Sequence, residues 1–318
     1  MSTFEADHEN RSLVLVRTPF QAWLVMRVLK EEGVGCYDVI YFTQNNSEED
    51  RHYFSLLEAS AKKSLYLFVP PGRLDIFSHI LFRYHSRYWS LDRGYRKVFL
   101  SSINAPVPNA IASAQSSAQM ISYDDGAANI FSEGDFYKEK RGLRAKFYRL
   151  ILGAQNLSEL KKRIFRHYTI YDGYENVVEK NRLVLLKNSK SETSNTDEIK
   201  SYFIGAPFRE VLTSDQIRQL TTYMESVEID AYVRHPREKQ PLNLAAPFLE
   251  KRGKVAEQAI LDDARGRKII LFGFLSSVMF NMASCVHKRI VFVPKGASRH
   301  IALIELAEKS GCEVVRLP

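Results

Sequence analysis

The chain has 318 residues, 45% of them hydrophobic and 12% aromatic, with a net charge of +8; this exceeds what one hydrophobic core usually serves, so two domains are expected. No run approaches the roughly 18 consecutive apolar residues of a spanning helix, and Met1-Ser2-Thr3-Phe4-Glu5-Ala6-Asp7 has neither the basic start nor the apolar core of a signal peptide, so a cytoplasmic location is expected. Cys36, Cys285 and Cys312 are too scattered for a zinc site or a disulfide framework, and the positive excess is local, with ten Lys/Arg against Glu139 and Glu159 between Lys138 and Arg166.

The first half alternates strand and helix. Leu13–Val16 reads as a strand and Phe20 to Glu32 as a helix, joined by Arg17-Thr18-Pro19-Phe20-Gln21, where Thr18 suits a cap and Pro19 a first helical position. Strand Asp38–Phe42, helix Glu49 to Lys62 and strand Leu65–Val69 follow, then the breaker Pro70-Pro71-Gly72. Helix Leu74 to His85, strand Lys97–Leu100, helix Asn109 to Gln115 and strand Met120–Tyr123 continue the pattern. The basic segment reads as one or two helices ending near Tyr168. A polar tract, Lys187 to Lys200, reads as a linker. Beyond it come strand Tyr202–Ile204, helix Ser214 to Met224, strand Ile229–Val233, helix Pro247 to Ile260 and strand Lys268–Phe272. Strand Ile290–Val293, helix Arg299 to Lys309 and strand Glu313–Leu317 close the chain. Such alternation predicts two doubly wound α/β halves with parallel sheets.

Three stretches end apolar runs in polar groups. Ile121-Ser122-Tyr123-Asp124-Asp125-Gly126 resembles a buried parallel strand delivering a carboxylate pair to the carboxyl edge of the sheet, where open α/β sheets bind ligands. Neighbouring carboxylates disfavour each other's charge, which suits one of them to accept a proton. Residues alternate sides along a strand, so only one of Asp124 and Asp125 is expected to face a substrate, and a simple Asp-Gly turn fits the same residues. His235, in Tyr232-Val233-Arg234-His235-Pro236-Arg237, is held extended by the following proline and flanked by arginines, which together suit an anionic phosphate. Ser276-Ser277, after Gly273-Phe274-Leu275, form either an anion site at a helix start or a plain helix cap. No GxGxxG follows the first strand and no P-loop occurs. The remaining seven histidines show no metal-ligand spacing.

Taken in order on two α/β halves, Asp124-Asp125-Gly126, His235-Pro236 and Ser276-Ser277 resemble the motifs shared by bacterial sialyltransferases, and Thr18-Pro19-Phe20-Gln21 narrows this to the lipooligosaccharide sialyltransferases of glycosyltransferase family 52. The resemblance spans nearly the whole chain. It implies a GT-B fold, two Rossmann-like domains with an inter-domain cleft: residues 1–190 for the acceptor and the general base, residues 191–318 for the donor. It also implies an inverting transfer of sialic acid from CMP-Neu5Ac to a terminal galactoside of a surface glycan such as lipooligosaccharide, with no cofactor and no metal.

In that scheme one of Asp124 and Asp125 deprotonates the acceptor hydroxyl, with Glu210 or Asp215 as substitutes if the pair is structural. His235 protonates or hydrogen-bonds the departing phosphate. Gly126, Arg234, Pro236, Gly273, Ser276 and Ser277 bind the donor, and Thr18, Pro19, Gln21 and Asn104 are weaker candidates on the substrate side. The basic segment 138–166 is expected either to touch the inner face of the plasma membrane peripherally or, through Phe147, Tyr148, Leu150, Ile151 and Leu152, to form a homodimer. Alternatives are another nucleotide sugar or capsule building on the same fold. A basic nucleic-acid-binding protein is the remaining class, disfavoured because no RNA- or DNA-binding motif appears and the charge is confined to one segment.

Overall fold

The computed structural model describes residues 11–69, 80–81, 83–84, 94–139, 142–186, 197–294 and 301–317. The helix expected over Leu74 to His85 lies almost wholly outside these residues, as do Pro70-Pro71-Gly72, most of the tract Lys187 to Lys200 and the first residues of the helix expected from Arg299. The chain forms two compact units, Met1–Leu186 and Lys187–Pro318.

The first unit carries β1 (Ser12–Val16), α1 (Pro19–Glu31), β2 (Tyr37–Thr43), α2 (Glu48–Glu58), β3 (Ala61–Phe68), β4 (Lys97–Leu100), α3 (Pro106–Ala114), β5 (Gln119–Tyr123), α4 (Leu143–Leu152), α5 (Leu157–Arg163), β6 (Ile164–Thr169) and β7 (Leu183–Leu185). Its strands are parallel, in the order β3-β2-β1-β4-β5-β6-β7. All five residues of β1 and all seven of β2 are buried, as expected of central strands covered on both faces. Thr18 caps α1 by accepting from the Gln21 amide at 3.3 Å, with Pro19 opening the helix; the cap accounts for Thr18 and Pro19 locally. The buried side of α1 is Gln21, Ala22, Leu24, Val25, Val28 and Leu29, six residues of which Gln21 alone is polar.

The second unit carries β8 (Ile199–Ile204), α6 (Phe208–Val211), α7 (Ser214–Glu225), β9 (Ala231–Val233), α8 (Ala256–Ala264), β10 (Lys268–Gly273), α9 (Ser277–Asn281), β11 (Lys288–Val293), α10 (Ile301–Lys309) and β12 (Glu313–Arg316). Its sheet is also parallel, in the order β12-β11-β10-β8-β9. Phe203, Phe208, Tyr232 and Phe292 are almost fully enclosed in its core. Each unit is thus a doubly wound α/β sheet.

Three segments depart from the sequence expectation. The basic segment is not helical to Tyr168: Ile164–Thr169 forms β6, whose aromatic and β-branched residues pair beside β5, so tertiary pairing overrides the helical reading. The helix expected over Pro247 to Ile260 begins only at Ala256. Pro247 to Leu249 instead runs extended beside β9, with the Tyr232 amide donating to Pro247 O and the Leu249 amide to Tyr232 O, both at 2.8 Å. β3 begins at Ala61, inside the helix expected to reach Lys62, because α2 ends at Glu58 and the chain then pairs with β2.

At the amino edge of the first sheet Glu32, just past α1, gathers three partners. Its carboxylate accepts from Lys97 Nζ at 2.5 Å, Arg166 Nη1 at 2.7 Å and Tyr168 Oη at 2.6 Å, tying α1 to β4 and β6. Burial works against the charge, but the hydrogen bonds from Lys97, Tyr168 and Arg166 and the Lys97 charge outweigh it, and the carboxyl is held below its ordinary 4.5. A carboxylate with a depressed pKa stabilises the fold above its unfolded value and loses that contribution as pH falls through the folded one. Glu32→Gln should therefore cost about 1–3 kcal/mol at pH 7, and denaturant titration should show the gap from wild type closing as pH drops below 4.5; an equal gap at pH 3 would refute the assignment.

Candidate active site

In an open parallel sheet the helices leave a crevice at the carboxyl edge where strand order reverses. The first sheet reverses between β1 and β4, and β5 lies next to β4. The residues that leave these strands are Arg17-Thr18, Ser101-Ser102 and Asp124-Asp125-Gly126.

The two aspartates have opposite surroundings. Asp124 is fully buried; one oxygen meets His167 Nε2 at 3.0 Å and Asn176 Nδ2 at 3.5 Å, and the other accepts from the Ile170 amide at 2.7 Å. Behind it, Ser122 Oγ meets His167 Nδ1 at 2.8 Å. Sealed and hydrogen-bonded on both oxygens, Asp124 joins β5 to β6 and to the loop after it, a structural task. Asp125 is only half-buried. Its Oδ1 accepts from Gln21 Nε2 at 2.7 Å and its Oδ2 from Ser102 Oγ at 2.9 Å, while Gln21 Nε2 also donates to Ser102 Oγ at 2.8 Å. The Arg17 amide donates to Gln21 Oε1 at 2.9 Å, which fixes the orientation of that side-chain amide. The Asp125 amide donates to Asn129 Oδ1 at 2.6 Å, and Gly126 turns the chain with φ of 60°, a conformation that glycine adopts without strain.

The structure therefore brings Gln21 and Asp125 together and adds Ser102 and Asn129, which the sequence reading passed over. Among the described residues no hydrogen bond joins Asn104 to this network. Ser102 carried a usable signal, a hydroxyl two residues past a buried strand; Asn129 carried none, since its role depends on the turn at Gly126.

The second sheet reverses between β8 and β10, with β9 beside β8. His235 and Pro236 follow β9 in a turn closed by the Glu238 amide donating to His235 O at 2.9 Å, with proline at its favoured second position. His235 Nδ1 accepts from the Arg237 amide at 3.1 Å, so the ring proton sits on Nε2. Burial, together with the Arg237 and Lys251 charges and against Glu210, lowers this imidazole to about 4. That favours the neutral imidazole near neutrality, and of the two expected roles, protonating or hydrogen-bonding a departing phosphate, it suits the second, through Nε2–H.

Glu238 is the buried anchor of this turn. It accepts from Tyr232 Oη and from the His235 amide, the latter at 3.2 Å. Burial raises its pKa despite those bonds. A Cβ on Gly205, at the end of β8, would collide with Glu238 Oε2 and lie 2.9 Å from Tyr232, so glycine is required where the anchor passes. Gly273 likewise lies against Ile204 O, which a Cβ would approach to 3.0 Å; strand packing accounts for this glycine. Arg234 donates to Glu238 O at 3.2 Å and lies over the Phe248 ring, and Arg237 pairs with Glu210 at 3.2 Å. Asp215 pairs with Arg218 on the exposed first turn of α7.

Ser276 occupies the N-cap position of α9, yet its side chain makes no capping hydrogen bond. It is half-buried and Ser277 is exposed, so the plain-cap reading does not use either hydroxyl. The helix they open is tied down at its far end, where Asn281 Nδ2 donates to the buried Glu257 of α8 at 2.6 Å.

The family model described as Glycosyltransferase family 52 matches residues 36–295. Over 202 residues the chain is 27% identical to an N-acetyllactosaminide alpha-2,3-sialyltransferase of Haemophilus influenzae, a match covering 63% of this chain and 65% of that protein's length. Over 276 residues it is 24% identical to a CMP-N-acetylneuraminate:beta-galactoside alpha-2,3-sialyltransferase of Pasteurella multocida, covering 85% of this chain and 87% of that one. Among solved structures the glycotransferase of kitacinnamycin superposes with a TM-score of 0.51 at 11% identity, over 97% of this chain and 85% of that chain. This likeness concerns the fold, which is the GT-B class of two Rossmann-like units.

The electrostatics of His235 are open to direct measurement. In imidazole nitrogen NMR its titration midpoint should fall near 4, with the Nε2–H tautomer dominant above it. A midpoint near the ordinary 6.5, or an Nδ1–H tautomer, would contradict the turn geometry.

Proposed function

We propose that this chain, which belongs to glycosyltransferase family 52, is an inverting sialyltransferase that moves sialic acid from CMP-Neu5Ac to a terminal galactoside of a surface glycan. The observation that carries the reading is the split of the aspartate pair. Asp124 is consumed by structure, whereas Asp125 is held at the carboxyl edge by Gln21 and Ser102 with part of its surface open. A carboxylate has about four acceptor positions, so two hydrogen bonds leave Asp125 able to take a proton.

In the proposed reaction Asp125 removes the acceptor hydroxyl proton as that oxygen attacks the anomeric carbon. The bond to the CMP phosphate breaks, and its electron pair leaves with the phosphate oxygen. A phosphate monoester has a second pKa of about 6, so the leaving group does not need a proton near neutrality. His235 then serves by hydrogen bonding through Nε2–H, with Ser276 and Ser277 as further donors. In this reading the charged leaving group is met by protein donors and cations, with no metal and no cofactor. The first unit serves the acceptor and the second the donor.

A second reading of the base rests on Glu210. It lies in the same unit as His235, its side chain is half exposed, and its charge acts on that imidazole. Either carboxylate gives the same net displacement.

The basic segment supports peripheral attachment to the inner face of the membrane. Along α4, Leu143, Phe147, Leu150 and Ile151 are exposed at helical spacing, beside a segment with ten basic residues and two acidic ones. Such a surface favours anionic lipid over a second copy of itself, because like charges repel; a homodimer through this face is the weaker reading. Among the described residues no helix is long and apolar enough to cross a membrane.

Release of CMP from CMP-Neu5Ac should rise on adding lactose and persist in EDTA. Absence of release with any galactoside would move the donor reading to another nucleotide sugar. In the same assay Asp125→Asn should lower turnover about 10²–10⁴-fold with CMP affinity kept and Glu210→Gln nearly normal; the reverse pattern would transfer the base to Glu210. For the basic segment, the protein should float with vesicles containing phosphatidylserine but not with phosphatidylcholine alone, and Leu150→Asp should reduce flotation. Equal recovery of wild type and variant would exclude α4 as the contact.

A further inference from the structure

The turn that holds His235 sends two neighbouring side chains in opposite directions. Glu238 goes inward, 4% exposed, and accepts from the Tyr232 hydroxyl and the His235 amide. Arg237 goes outward, its side chain 62% exposed. Its backbone is fixed all the same, because its amide donates to His235 Nδ1 at 3.1 Å and the next amide closes the turn on His235 O at 2.9 Å. Arg234, the other arginine of the motif, serves the turn itself by donating to Glu238 O at 3.2 Å and lying over the Phe248 ring.

The carboxylate that meets Arg237 comes from the neighbouring strand. β8 and β9 pair in parallel as far as Ile204 and Val233, so the loops that follow leave the same edge of the sheet. The loop after β8 leads into α6, where the Phe208 amide donates to Ala206 O at 2.7 Å, the Glu210 amide to Pro207 O at 2.8 Å and the Leu212 amide to Phe208 O at 2.7 Å, with Phe208 buried in the core. Glu210 is therefore presented from a braced turn, and Arg237 Nη1 reaches its Oε2 at 3.2 Å. With the two side chains 62% and 50% exposed, this ion pair adds little to stability. Its place at the carboxyl edge, on the same turn as His235, gives it another use.

We propose that Arg237 binds the phosphate of the donor nucleotide and that Glu210 is its resting partner, an ion pair that donor binding exchanges for an arginine–phosphate pair. The proposal rests on the donor reading above and deepens it by naming the cation and what holds it beforehand. A guanidinium carries five donors in a planar fork that fits phosphate oxygens two at a time, whereas the contact with Glu210 runs through one nitrogen. The phosphate of an intact donor has one negative charge and gains a second as its bond to the sugar breaks, so the attraction to Arg237 grows along the reaction. The guanidinium can swing without disturbing the histidine, since it is the Arg237 backbone amide that fixes the ring.

The test compares CMP with cytidine, which differ by the phosphate alone, in calorimetric titrations of the full chain. Arg237→Gln should weaken CMP about 10–100-fold, the loss expected of a charge-assisted hydrogen bond, while cytidine affinity and melting temperature stay unchanged. Glu210→Gln should tighten CMP about two- to fivefold, as expected on releasing an exposed ion pair, and should have no effect on CMP once Arg237→Gln is present. Unaltered CMP affinity in Arg237→Gln overturns the proposal, as does an equal loss for CMP and cytidine. Unchanged or weaker CMP binding in Glu210→Gln overturns the exchange, and so does equal tightening with and without Arg237, which would mark Glu210 as a simple repulsive charge. If wild type binds neither CMP nor cytidine, the donor reading fails separately. UMP and uridine then take their place, with a selective loss of UMP in Arg237→Gln supporting the role of Arg237, and unchanged UMP binding, or none to wild type, overturning it.

Discussion

A parallel sheet cannot close its strands with tight turns, so every strand is followed by a crossover over one face of the sheet. Where strand order reverses, successive crossovers go to opposite faces and the loops part. In the first unit that point lies between β1 and β4, and in the second between β8 and β10. Ser102, Asp125, His235 and Ser276 sit on loops that leave the carboxyl ends of these strands or their neighbours β5 and β9, and Gln21 reaches in from the first turn of α1. The covered faces require mostly apolar residues on both sides of the central strands, and polar side chains within the sheet, such as Ser122 and His167, are paired with each other.

That boundary also explains why adjacent residues have different duties. Asp124 still lies within the sealed region and must have its charge answered by His167, Asn176 and the Ile170 amide. Asp125, one residue further, is oriented by Gln21 and Ser102 yet keeps an open side. The buried carboxylate gives the open one a firm backbone to stand on. In the second unit Glu238 has the matching role, holding the His235 turn from beneath through the His235 amide and the Tyr232 hydroxyl.

The neutral state of His235 recasts the division of labour. Partial burial, and after it the nearby positive charges, hold the imidazole pKa low, and cations of that kind are the groups suited to meet an anion. A ring fixed as the Nε2–H tautomer by the Arg237 amide presents a directional donor. In the proposed reaction, direction comes from the histidine and charge from its surroundings. The absence of a side-chain cap at Ser276 is consistent with a hydroxyl that serves a ligand and not its own helix.

The sequence by itself determined the alternation of strands and helices, the two α/β halves and the three polar motifs, because apolar runs ending in charged or small residues are local signals. It also limited the carboxylate pair to one outward-facing member through strand alternation. Only the tertiary structure decided that this member is Asp125, since that depends on His167 and Gln21 arriving from elsewhere in the chain. The same holds for β6, read as helix within the basic segment, and for Pro247 to Leu249, whose helical-looking sequence was captured by the open edge of β9. That pairing, with Phe248 opposite Tyr232, is a contact between segments that no local pattern encodes.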